Sequence, residues 1–193
     1  MKIEKRDCSP DRIASFRAEL DALAEGCGQQ TIPCAANCPK ANPNTCSRYC
    51  PDVGEMLSSD PENYPIEPKI APLVFELKSY SVFDPCWSCE GHAHTNGQLW
   101  KLPRVWFYTD SLIHIRILGE CLEDLFHRDI INARWRVVLT FSDDDNADTT
   151  FCVEPIPDDN PQPLEILQQD VAPIAERLPP LMKARTSRLK GAL

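Results

Sequence analysis

The sequence contains no apolar run near the roughly 20 residues that a bilayer-spanning helix requires, so no membrane segment is expected. Its opening, Met1-Lys2-Ile3-Glu4-Lys5-Arg6-Asp7, lacks the apolar stretch of a secretion signal, which points to the cytoplasm. Glycine is scarce, with 7 in 193 residues, and none stands in a P-loop or a dinucleotide-binding fingerprint. A serine nucleophile elbow and an H-E-x-x-H helix are also missing. Positive charge is short as well. The 20 Lys and Arg face 29 Asp and Glu, and the resulting net charge of −9 repels nucleic-acid phosphates. The partners left are an unidentified protein or a small molecule, rather than a membrane or a nucleic acid.

Cysteine, in contrast, is plentiful: there are ten. Reducing compartments do not sustain structural disulfides, so clustered thiols there indicate a metal or a catalytic site. The densest cluster is Cys34-Ala35-Ala36-Asn37-Cys38-Pro39 followed by Cys46-Ser47-Arg48-Tyr49-Cys50-Pro51, a doubled C-x3-C-P. On a helical turn, positions i and i+4 share a face, so each pair can present two thiolates together. Proline after the second cysteine stops the turn. Two such turns facing each other surround one point with four sulfurs, a donor set that suits zinc or an iron–sulfur cluster. Cys8 and Cys27 are spare ligands, and two disulfides without metal are the competing arrangement.

A second constellation is Asp84-Pro85-Cys86-Trp87-Ser88-Cys89-Glu90-Gly91-His92-Ala93-His94. Cys86, Cys89, His92 and His94 offer soft donors for zinc within nine residues. Three of them with one water would give catalytic geometry, and Glu90 is then the candidate general base. Cys86-Trp87-Ser88-Cys89 also has disulfide-oxidoreductase spacing. Gly91 and Asn96-Gly97 follow too soon for the helix that such a pair needs, so a dithiol redox role ranks below the zinc alternatives.

The rest of the chain predicts structure. Ser9, Pro10 and Gly26 bracket a first helix striped with Ile13, Phe16, Leu20 and Leu23. Residues 27 to 69 are rich in cysteine and proline and poor in large apolar side chains, so something other than a core must order them, and ligands clustered around a metal would suffice. From Ile70 the pattern is ordinary. Ile70, Leu73, Val74, Leu77 and Tyr80 make a helix face, and strands are expected at Cys86–Cys89 and Arg104–Tyr108. Residues 112 to 131 read as the longest helix, with Ile115, Leu118, Leu122 and Leu125 inward. Trp135–Phe141 and Thr149–Val153 read as a hairpin around an acidic turn. The four tryptophans, Trp87, Trp100, Trp106 and Trp135, fit core packing, and Cys121 and Cys152 fit small buried positions. A last helix runs from Leu164. Pro173 should kink or divide it, and Pro179-Pro180 should end it.

The expected fold class is α/β in the α+β sense, a two-layer domain over 70–193 with a mixed or antiparallel sheet and helices mainly on one face. A helical, cysteine-rich segment over 1–69 precedes it. The expected function is a cytoplasmic metal-binding accessory protein with a four-thiolate N-terminal site. The alternative is a zinc-dependent hydrolase centred on Cys86–His94.

Overall fold

The structure, a computed structural model, describes residues 9–26, 48–140, 148–157 and 162–193. Cys34, Cys38 and Cys46 lie outside them, so of the four-thiolate set only Cys50 is described.

Helix α1 spans Pro10–Gly26. The Ser9 hydroxyl accepts from the Arg12 amide at 3.3 Å, which satisfies one of the open donors of the first turn. The short helix α2 (Val53–Leu57) and α3 (Ala71–Ser79) follow. All five residues of the expected apolar face, Ile70, Leu73, Val74, Leu77 and Tyr80, are buried. Glu76, buried on α3, takes Arg48 at 2.6 Å. Burial pushes its carboxyl up, and the guanidinium opposes that push.

Strands β1 (Asp84–Ala93) and β2 (Leu99–Tyr108) form an antiparallel hairpin, and both are longer than the sequence suggests. The turn between them closes with the His94 amide donating to the Gln98 carbonyl at 2.8 Å and the Gly97 amide donating to the His94 carbonyl at 2.9 Å. Helix α4 spans Leu112–His127. Ser111 caps it, accepting from the Ile113 amide at 3.2 Å, and its hydroxyl also meets the Glu19 carboxylate of α1. His114 completes that latch with Nε2 at 2.8 Å from the Glu19 carbonyl oxygen. The helix stops four residues before the expected end. The Ile130 amide reaches back to the Leu125 carbonyl and the Asp129 amide to the Phe126 carbonyl, a Schellman closure with Asp129 at φ 53.

Strands β3 (Trp135–Thr140) and β4 (Thr150–Pro155) pair antiparallel, and the four-stranded sheet runs β1-β2-β4-β3. Helix α5 spans Leu164–Ala192, about 43 Å at 1.5 Å per residue. Among the described residues the architecture is five helices with one antiparallel sheet, in agreement with a two-layer α+β fold.

The end expected for α5 at Pro179-Pro180 is not found, and the helix runs undivided past Pro173. Each of these prolines removes an amide donor and crowds the preceding turn, at about 3 kcal/mol in a helix interior. The buried stripe Val171, Ile174, Ala175, Leu178 and Met182 runs through all three prolines. At roughly 1.5–3 kcal/mol for each large apolar side chain, that burial offsets the local cost.

The core lies between the helices and one sheet face. Leu20 and Leu23 of α1 belong to the same apolar cluster as Leu118, Leu122, Val105, Phe107, Trp135 and Val171. On α4 the buried stripe is Ile117, Leu118, Cys121, Leu122 and Leu125, so Ile117 takes the place expected for Ile115, which is only half-buried. Trp135 and Val137 of β3 face this core as expected, whereas Leu139, near the strand end, is 57% exposed. Leu122 is fully buried. Leu122→Ala should therefore destabilise by about 2–5 kcal/mol, and Glu123→Ala on the opposite face by less than about 1 kcal/mol. Urea midpoints check the pair, and equal midpoints would show that α4 does not pack by this face.

Candidate metal centre

The connector before α3 is laid down by local bonds. The Ile66 amide donates to the Gly54 carbonyl at 3.3 Å, and a Cβ on Gly54 would sit 2.4 Å from the Ile66 oxygen. The next residue, Glu67, opens α3: its carbonyl accepts from the Ile70 and Ala71 amides at 3.2 and 3.1 Å. Its side chain turns the other way and reaches the free edge of β1. There Oε2 accepts from the Glu90 amide at 2.7 Å, and Oε1 lies 3.1 Å from His92 Nε2.

Cys89 joins this pair, and the ligand atoms of Glu67, Cys89 and His92 all lie within 4.8 Å of one another. Residues 89 and 92 would point to opposite faces of an uninterrupted strand. Gly91 between them adopts φ 84 and breaks the alternation. A Cβ there would also stand 2.7 Å from Leu164 Cδ1 and 2.8 Å from the Pro103 nitrogen, so glycine alone fits. Cys89 is 3% exposed, and its sulfur accepts from the Gly91 amide at 3.4 Å. Burial pushes the Cys89 thiol up; the Gly91 amide opposes that push, Glu67's charge adds to it and Lys101's charge opposes it. A divalent ion reverses this balance, because a coordinated thiol gives up its proton.

One edge of the trio can be set against zinc geometry. With bonds of about 2.0–2.1 Å to N and O and about 2.3 Å to S, a tetrahedron has edges of about 3.3 Å between N and O and about 3.6 Å to sulfur. The Glu67–His92 edge is already near that length. Three ligands among the described residues leave a fourth position for water or another ligand.

The other residues named from the sequence are placed as follows. Cys86 stands in a bulge between Pro85 and Trp87 and is exposed. Partial burial of its sulfur and the charge of Asp84 raise its thiol, so neither Cys86 nor Cys89 is an activated thiolate. His94 is exposed and stacks on Trp100 with ring centroids 6.2 Å apart; His92 stacks on the same ring at 5.4 Å. The Glu90 carboxylate accepts from the Lys69 amide at 3.0 Å. Cys50, half-buried, precedes α2, and its carbonyl accepts from the Val53 amide. Cys121 and Cys152 are buried thiols; burial and the Glu154 charge push Cys152 up to about 12, which leaves it inert. Trp135 is buried as expected, but Trp87 and Trp100 are 42% and 53% exposed; Trp87 pairs with Trp106, whose alternation puts it on the sheet face opposite the core residues Val105 and Phe107.

Glu67 and Lys101 were not visible in the sequence as site residues. Glu67 is 22 positions from Cys89 in a proline-rich connector, and no spacing rule links them. A separate groove of about 430 Å³, walled by Leu99, Leu102, Phe126, Pro155, Ile156 and Leu167 among others, includes none of Glu67, Cys89, Glu90, His92 or His94. No helix among the described residues is long and apolar enough to cross a membrane. No protein-family model, no curated protein and no solved structure matches the chain.

Proposed function

We propose that the protein binds a zinc ion between Glu67, Cys89 and His92, and that its function lies in presenting this ion with one position open. The observation that carries the reading is the convergence of a carboxylate, a thiol and an imidazole, from two separate segments, within 4.8 Å. The mixed O, S, N donor set favours zinc over hard cations such as magnesium and calcium. A closed structural site has four protein ligands, so three ligands with an open position favour an ion that meets a small molecule. The four-thiolate set Cys34, Cys38, Cys46 and Cys50 is a second proposed site, for zinc or an iron–sulfur cluster.

A hydrolytic role is the second reading, because an open zinc position can activate water. Glu90 is not free to act as the base while it holds the Lys69 amide, so this reading requires a base from the incoming molecule or a released Glu90.

Metal analysis and an absorption spectrum of anaerobically purified protein test the proposal. Bound zinc is expected. Removing any one donor, in Glu67→Gln, Cys89→Ser or His92→Ala, should weaken one zinc equivalent by at least about 100-fold, beyond the cost of losing an outer-shell contact. Absorption near roughly 400 nm with iron and sulfide would assign the N-terminal cysteines to a cluster. Unchanged zinc content and affinity in all three variants would refute the site.

A further inference from the structure

We propose that the open position takes an oxyanion, the carboxylate or phosphate group of a small molecule, shared between the ion and the Lys101 ammonium on the adjacent strand. This deepens the zinc reading above and rests on it.

Lys101 is the ladder partner of His92. Directly paired residues hold their Cβ atoms about 4.5–5.5 Å apart on one face. Its side chain does not run off into solvent. Nζ lies 4.8 Å from the centroid of the Trp100 ring, and that ring is stacked on His92. The indole therefore holds the ammonium at the His92 end of the hairpin, the geometry of a cation on a π face.

The charge of Lys101 is uncompensated. Among the described residues it forms no ion pair, whereas Lys78 meets Asp84, Lys190 meets Asp21 and Arg104 lies 3.9 Å from Glu154. A zinc ion would be neutralised by the Glu67 carboxylate and the Cys89 thiolate, with His92 neutral. Glu90, the other acid of this segment, is turned to the Lys69 amide. The Lys101 ammonium then stands outside any ion pair among the described residues, beside a metal with a vacant coordination position, in a chain of net charge −9. A Lewis-acidic ion and a fixed ammonium on one oxyanion are a two-point clamp, in which each cation strengthens the other's hold on the anion. Trp100, half exposed, supplies an apolar wall beside the clamp for the body of the molecule.

The test uses protein loaded with cobalt(II), which takes the ligands of zinc and reports replacement of its water in its visible bands. The probes are acetate and inorganic phosphate. At least one should shift the bands saturably, and the one that acts at lower concentration identifies the group as carboxylate or phosphate. Lys101→Met should raise the half-saturating concentration at least about tenfold while leaving cobalt content and the sulfur-to-metal charge-transfer band unchanged. Lys101→Arg should stay near the wild type. Bands that respond to neither anion, or equal half-saturation in wild type and Lys101→Met, would overturn the clamp while the metal site stands. Failure of the wild type to take up cobalt would instead overturn the zinc reading, and the clamp with it.

Discussion

Asp170→Ala should be among the most damaging single substitutions in this protein, destabilising it by about 3–5 kcal/mol. Asp170 lies on α5 and is fully buried. One carboxylate oxygen accepts from the Asn132 amide and side chain, both at 2.8 Å; the other accepts from the Ala133 amide at 2.9 Å and the Trp135 indole at 3.2 Å. Four donors from the turn leading into β3 thus converge on one anion, which forms no ion pair among the described residues. Truncation leaves the Ala133 amide and the Trp135 indole N–H buried without an acceptor, at about 1–3 kcal/mol each. Asp170→Asn keeps the shape but turns one side of the group into a donor facing donors, so it should also destabilise markedly. Urea unfolding followed by far-ultraviolet circular dichroism measures both. A loss below about 1 kcal/mol for the alanine variant would mean that apolar packing alone holds this turn.

Gly91→Ala should cost about 2–5 kcal/mol and abolish high-affinity zinc binding together. A side chain at φ 84 carries roughly 1–2 kcal/mol of backbone strain, and the clash of the new methyl with Leu164 and Pro103 adds about 1–3 kcal/mol. Relieving either moves Cys89 relative to His92. Gly97→Ala is the internal control. Its φ is 83, but nothing lies within 4 Å of the added Cβ, so only the strain remains and zinc binding should be retained. Denaturation midpoints of the metal-free proteins separate the fold from the site. A Gly91→Ala protein that is as stable as wild type and binds zinc normally would show that the break in β1 does not build the site.

What could be read from the sequence depended on how local its cause was. Leu118, Leu122 and Leu125 fall at helical spacing, and the strand at Trp135 shows its apolar alternation, so the two layers were legible. The course of α5 was not, because the cost of proline is written in three residues while the burial that offsets it comes from elements elsewhere in the chain. Strand β1 was read too short because Gly91 signals a bend, whereas here it is a left-handed step inside a continuing ladder. Cys89 and His92 stood out as donors by their spacing. Glu67 did not, since only the docking of the connector against β1 brings it to them, and the N-terminal thiolate set lies outside the described residues apart from Cys50.

The way Glu67 meets β1 bears on how the protein behaves among its own copies. Strand β1 is an outer strand of the sheet, and an outer strand offers unpaired amides to any neighbouring chain, here beside the exposed rings of Trp87 and Trp100. The Glu90 amide is one such donor, and it is already taken by Glu67 Oε2. An amide held by a carboxylate cannot join an incoming strand, and the negative charge laid along the edge repels one. The two oxygens of Glu67 serve separate ends: Oε1 faces His92, where an ion would sit, and Oε2 blocks edge-to-edge stacking. The Glu90 carbonyl is held as well, accepting from the Gln168 side chain of α5 at 3.0 Å, so both backbone groups of this residue are engaged within the chain and the edge stays closed here whatever Oε1 faces.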